Sequence, residues 1–257
     1  VTNQILERIS TIGNSSCKLS ETDYSTYIPI IASKKLNINE DEARALIRLI
    51  SNLFKKVCLD SGFNEKSTDA LKTKLRDAGR RSAPWKHASS KVPGIPQDGA
   101  DGNRRNRWLF RPGEKFYASE IIATLVEVKY YLQALSMEGA PDISEYKLES
   151  LFSPWLLEHD VKPSEYHDPV QLTVLKFRDF MEDPRTIQSG HIFPLDRGGT
   201  HNPTNTFLML SRSNQLQGNN TVEELLELMR AIVSKHDEAY QNNNLLEKRI
   251  KELTPKL

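Results

Sequence analysis

Residues 185–220 read RTIQSGHIFPLDRGGTHNPTNTFLMLSRSNQLQGNN, and the parsing of this stretch decides the fold. Ile187, His191-Ile192-Phe193 and Phe207-Leu208-Met209-Leu210 form apolar runs of strand length. Pro194, Gly198-Gly199 and Pro203 punctuate the residues between them. From Ser211 to Gly218 there is room for about two helical turns. The expected order is strand, loop, strand, short helix.

Outward from this stretch the pattern is helical. Upstream, Ala43, Leu46, Ile47, Ile50, Leu53, Phe54 and Val57 recur at three- and four-residue spacing, which predicts an amphipathic helix over 39–60. Its acidic opening, Glu40-Asp41-Glu42, suits the positive end of a helix dipole. Further helices are expected over 67–78, 119–137, 142–157 and 168–182, the last with Pro169 at a favoured first position. Downstream, Thr221-Val222-Glu223-Glu224 is a capping-box pattern. The helix it opens should turn Leu225, Leu226, Leu228, Met229, Ile232 and Val233 inward and break at Asn242-Asn243-Asn244, with a short helical tail after it. The fold class is therefore α+β: a mainly α-helical chain carrying a small ββα unit near its C-terminal third. Three parts are expected, a mostly helical scaffold and recognition region over 1–183, the ββα unit over 184–220, and a helical region over 221–257 that packs on it.

The chain has 257 residues, 35 Lys+Arg against 34 Asp+Glu and a formal net charge of +1. Its length suffices for a sizeable core without staples. No apolar run approaches the roughly 20 residues of a membrane span, so no membrane partner is expected. The two cysteines, Cys17 and Cys58, give neither a zinc spacing nor a disulfide framework, and a reducing cytoplasm is the expected compartment. Near-neutrality is an average over unlike parts. Residues 72–115 hold twelve Lys/Arg against four Asp/Glu. Within them Trp85 and Trp108 lie beside Lys86, Arg104, Arg105 and Arg107, among turn-forming Pro and Gly. Basic residues interleaved with aromatics fit phosphate contacts plus base stacking, although a solvated loop with its tryptophans on the core accounts for them equally well.

Within 185–220, His191-Ile192-Phe193-Pro194-Leu195, Gly198-Gly199, Asn205 and Asn214 stand at the spacing of the HNH, or ββα-metal, nucleases, and the chain resembles that family over about thirty-five residues. The resemblance implies that His191 is the general base, that Asn205 holds the loop and the imidazole in place, and that Asn214 binds a metal ion from the helix. The residue types suit that chemistry. A histidine can be neutral and basic near neutral pH, and an amide oxygen is a ligand that Mg²⁺ accepts while keeping several waters. One position departs from the pattern. Most HNH enzymes carry Asp or His just before the base as a second ligand, and here that residue is Gly190. The related DRGH-type non-specific nucleases also place Gly there and use one Asn as sole ligand, at the spacing of Asn205 and Asn214. Ser189, Asp196 or His201 could also reach an ion, while Arg197 and Arg212 flank the site as possible phosphate clamps. With no CxxC pair, no structural zinc is expected, and Ile192, Phe207, Leu208 and Leu210 must anchor the unit by packing.

What the resemblance implies is a Mg²⁺- or Mn²⁺-dependent endonuclease. The large region ahead of the motif makes it look like a Type II restriction enzyme, a homodimer cutting double-stranded DNA at a specific site to 5′-phosphate and 3′-hydroxyl ends. A non-specific, homing or phage nuclease is the alternative within that class. A DNA-binding protein with an inactive nuclease fold is the alternative outside it.

Overall fold

The computed structural model describes Glu7 and residues 19–82 and 105–241. Seven α-helices and two small antiparallel sheets are found among them. The helices are α1 (Glu21–Ala32), α2 (Glu40–Asp60), α3 (Glu65–Gly79), α4 (Glu120–Leu135), α5 (Phe177–Glu182), α6 (Ser211–Gln217) and α7 (Val222–Gln241). The strands are β1 (Arg81–Ser82) paired with β2 (Arg105–Asn106), and β3 (Ile187–His191) paired with β4 (Thr206–Leu210). The architecture is α+β. No described helix is long and apolar enough to cross a membrane. Lys86 and Arg104 lie outside the described residues, as does half of the basic stretch, whose first eight positions belong to α3.

The core is built on α2 and α4. Asn39 caps α2 by accepting from the Glu42 amide (2.9 Å), while the Glu42 carboxylate accepts from the Asn39 amide (3.0 Å). The apolar positions of α2 that repeat at helical spacing are all buried, and so is most of α4. Phe54 of α2 meets Tyr131 of α4 and Phe177 of α5 edge to face, at centroid separations of 5.1 and 6.0 Å. Helix α3 closes the group by burying Leu71 and Leu75.

Two expected helices do not form as such. Over 142–157 the chain makes one 3₁₀ turn, Ser144–Tyr146, which Lys147 ends at a φ of +53°. Downstream, Pro154 brings no amide hydrogen to extend a helix. Over 168–176 the fully buried Asp168 carboxylate draws in the amides of Val170 (2.9 Å) and Gln171 (2.7 Å), and Leu172 then takes a φ of +55°. The turn closes there and helix resumes only at Phe177.

Helix α7 also differs from expectation. Its first turn is capped by Thr221, whose hydroxyl accepts from the Glu224 amide (3.1 Å), and Leu225 is buried at 4% exposure. From Glu227 to Tyr240 every residue is exposed, including Leu228, Met229, Ile232 and Val233. Among the described residues the helix meets the hairpin through its N-terminal end alone.

Candidate functional site

The second sheet and α6 form the expected strand, loop, strand and helix. The β3–β4 register pairs Ile187 with Leu210, Gly190 with Phe207, and His191 with Thr206. Phe207, Leu208 and Met209 are buried, and Leu210 packs partly buried against the core. Ile192 does not share that role. It lies just past the end of β3 and is 36% exposed.

Polar bonds from the scaffold set the position of the hairpin. The Gln133 side-chain oxygen on α4 accepts from the Leu208 amide (3.1 Å), and the buried Lys129 ammonium donates to the Pro203 carbonyl (2.6 Å). Burial pulls the Lys129 amine down to about 8, with Glu158 acting weakly in the other direction. Asp168 reaches the base of α6, accepting from the Leu210 amide (2.8 Å) and the Ser213 hydroxyl (2.9 Å). The start of the helix that carries Asn214 is thus pinned by a buried carboxylate with all its bonds made.

Asn205 holds the loop between the strands. Its amide oxygen accepts from the Phe193 N–H (2.7 Å), and its amide nitrogen donates to the carbonyls of Phe193 (3.0 Å) and Thr200 (2.8 Å). One side chain so bridges the two ends of the loop. Gly199 is required by the tight return, because a Cβ there would lie 2.1 Å from the Phe193 carbonyl oxygen.

His191 ends β3, and its backbone carbonyl accepts from the Gln217 side chain on α6 (2.7 Å). The ring Nε2 lies 3.2 Å from Nδ1 of His201, and the other nitrogen of His201 lies 2.7 Å from the Gly79 carbonyl at the end of α3. Burial, then the positive charges of Arg107 and Lys115, push His191 down to about 4. His201, 2% exposed, is pushed well down by its burial and next by Arg107. Both rings are neutral at ordinary pH.

A cleft of about 370 Å³ opens at this point, lined by His191, Asn214, Asp196, Lys115, Gln217 and Asn219 among others. Asn214 donates its amide nitrogen to Gln188 (2.7 Å), which orients the side chain and, among the described residues, leaves its side-chain oxygen as an open acceptor. Asp196 and Lys115 form an ion pair at the rim. A second hollow of about 320 Å³ is lined by Gln188, Lys74, Arg81, Arg107 and Ser189 among others.

Position 190 is filled from across the sheet. A Cβ at Gly190 would fall 2.3 Å from the Met209 sulfur and 2.8 Å from the Phe207 ring. Met209 is wholly buried, so the space that an Asp or His side chain would need holds packed apolar atoms. His201 is no ligand candidate either, since both of its nitrogens are engaged. Ser189 faces the second hollow. Among the described residues no cluster of three His, Cys, Asp or Glu side chains is arranged to hold a metal. The donor set of the cleft suits a largely hydrated, oxygen-preferring ion bound through the Asn214 amide oxygen, with the Asp196 carboxylate at the rim.

The arginines named from sequence separate into different environments. Arg197 is paired with Glu224 (Nη2 to Oε1, 2.9 Å) and ties the loop to α7. Arg212 on α6 and Arg105 on β2 are exposed. Arg107 is 6% exposed, with one guanidinium nitrogen 3.4 Å from the Phe116 carbonyl and its Nε without a hydrogen-bond partner among the described residues. Burial draws its pKa down to about 10, so a cation under strain from desolvation sits beside the histidine pair.

No protein-family model matches the sequence, and no curated protein does. Four chains among solved structures match. One, described as the crystal structure of a type II restriction endonuclease, aligns with a TM-score of 0.41 at 17% identity, over 49% of this chain and 56% of that one. The chain spans a little over half the length of that structure.

Three residues of this arrangement were not singled out for it by the sequence. Gln188, Gln217 and Asp168 act through bonds between segments distant in the chain, and nothing in their local sequence marks them. His201 is named from sequence as a residue that could reach an ion, and its place in the Gly-Gly-Thr-His run is the one signal of its actual position.

Proposed function

We propose that this protein is a Mg²⁺-dependent endonuclease of the HNH kind that cuts double-stranded DNA at specific sites. The observation that carries the reading is one cleft bounded by a neutral histidine and an oriented asparagine, beside a loop clamped by a second asparagine. His191 is the proton acceptor, Asn205 the clamp, and Asn214 the protein ligand of the ion. When bound, Mg²⁺ (or Mn²⁺ in its place) supplies charge neutralisation at the phosphate and the leaving oxygen.

His191 takes a proton from a water molecule as that oxygen bonds to phosphorus. The bond to the 3′ oxygen breaks, the phosphate stays on the 5′ end, and the released oxygen takes a proton from solvent to become a 3′-hydroxyl. The depressed proton affinity of His191 helps before substrate arrives, because the ring is free of a proton. A phosphate entering the cleft opposes the push of Arg107 and Lys115 and raises that affinity when it is needed. Lys115, Arg105 and Arg212 offer exposed or half-exposed cations for the DNA backbone, and Arg107 contributes its charge from beneath. Lys86 and Arg104 remain candidate DNA contacts from sequence alone. Cutting both strands calls for two such sites, so a homodimer on a symmetric sequence is the simplest assembly.

A second reading draws on position 190. With the usual ligand place occupied by Met209 and Phe207, the same fold could bind DNA without cutting it. Purified protein incubated with plasmid and Mg²⁺ separates the readings. Discrete fragments support site-specific cutting, a smear supports a non-specific nuclease, and intact plasmid with a band shift supports binding alone.

A further inference from the structure

The histidine pair contains a tautomer assignment that bears on which atom of His191 does the chemistry. A carbonyl oxygen can only accept a hydrogen bond, so the His201 nitrogen lying 2.7 Å from Gly79, Nε2, must carry the hydrogen. In a neutral ring the opposite nitrogen, Nδ1, then has only a lone pair. That lone pair faces His191 Nε2 at 3.2 Å, and two bare nitrogens cannot bond, so His191 Nε2 carries a hydrogen and donates it. His191 is itself neutral, which leaves its Nδ1 as the unprotonated nitrogen.

We propose that His201, anchored on the Gly79 carbonyl, is a positioning residue that fixes His191 in its Nε2–H form and so makes Nδ1 the proton-accepting atom. The proposal rests on the reading of His191 as general base. It goes beyond that reading by naming the atom, and by giving a role to a buried histidine whose two ring nitrogens are both engaged by protein groups.

Three features make the chain rigid enough for the task. Gly79 ends α3 against α4, where a Cβ would lie 2.6 Å from the Glu127 Cα, so the backbone that presents the carbonyl is locked in packing. Its carbonyl is at the C-terminal end of a fifteen-residue helix, the partially negative end, which favours a donor there. His201 is buried on a loop held by Asn205 and by Lys129, and its ring cannot swing to water without breaking its bonds to Gly79 and His191. When Nδ1 of His191 takes a proton from water, the imidazolium donates through Nε2 to the same acceptor. The relay thus serves both charge states without moving an atom.

The test uses full-length protein with ¹⁵N-labelled histidine, the signals of His191 and His201 being assigned by His191→Gln and His201→Asn. Wild type should show a protonated Nε2 and a bare Nδ1 on His191. His201→Leu should remove that preference and lower kcat by roughly a hundredfold with KM little changed. His201→Asn keeps an amide oxygen close to where Nδ1 sits, and should keep the tautomer and stay within about tenfold of the wild-type kcat. An Nδ1–H form, or an even mixture, in wild type would overturn the proposal. So would a His201→Leu variant with an unchanged His191 tautomer or an unchanged rate. If wild type never cuts DNA, the nuclease reading fails, and the nitrogen shifts still decide the relay.

Discussion

The helical scaffold and the β3–β4 hairpin are held together by different forces. The scaffold is an apolar structure, in which Leu46, Leu49, Ile50, Leu53 and Phe54 of α2 are essentially inaccessible and meet the equally buried face of α4. The hairpin buries Phe207, Leu208 and Met209, but its placement depends on directional bonds from Gln133, Lys129, Asp168 and the His201–Gly79 link. Apolar contact tolerates small shifts, whereas a hydrogen bond fixes distance and direction. The part proposed to place a reacting group is the part built with polar struts.

The sharpest way to break this contrast is a matched pair of substitutions. Leu46→Ala should cost about 2–5 kcal/mol of stability as a cavity in the scaffold, and the molecules that remain folded should keep their cleavage rate. Asp168→Ala should cost roughly 2–4 kcal/mol by leaving the Leu210 amide and the Ser213 hydroxyl without their acceptor. It should also loosen α6, so that activity per folded molecule falls too. Urea unfolding and cleavage assays on the same preparations would separate the two outcomes.

Next in size is a pH effect confined to the hairpin. Burial, with Arg107 and Lys115, holds folded His191 at about 4, whereas an unfolded histidine titrates near ~6.5. The unfolded chain therefore binds the proton first as pH drops. Stability is fully present above about pH 6.5 and drains away toward pH 4, by up to about 3 kcal/mol from His191 alone. His201 acts in the same direction. Urea midpoints taken across that range should fall, and should fall less steeply in His191→Asn. A flat profile would show that the ring is not buried as described.

How much of this was legible beforehand divides along the same line. Helices α2, α3 and α4 follow from apolar spacing, because their stability comes from burying a face that the spacing displays. The hairpin, α6 and the shared cleft of His191 and Asn214 follow from a dense local motif. Turns governed by one side chain were not legible. Asp168 draws two amides into a tight turn where Pro169 suggested a helix start. The fate of Arg197 was hidden in the same way, since its partner Glu224 lies twenty-seven residues away. The burial of Arg107 depends on β1, β2 and α4 converging, which no local pattern signals.

Two smaller effects sharpen the picture further. Gly190→Ala should cost about 1–3 kcal/mol by overpacking against Met209, and adding Met209→Ala should return part of that loss. A thermal melt that left Gly190→Ala unchanged would mean that the space is open and a second ligand could fit there. On α7, Leu228→Ser and Ile232→Ser should change the stability of the monomer by less than about 0.5 kcal/mol, because those side chains are already exposed.

The central claim is that the His191–Asn214 cleft performs the hydrolysis. Single-turnover cleavage of a DNA duplex across a series of Mg²⁺ concentrations tests it most directly. The account predicts that His191→Ala loses roughly a hundredfold to ten-thousandfold in rate at every Mg²⁺ concentration. It predicts that Asn214→Ala needs far more Mg²⁺ to reach whatever rate it retains. Two variants that cut as fast as wild type, with the same Mg²⁺ dependence, would contradict it.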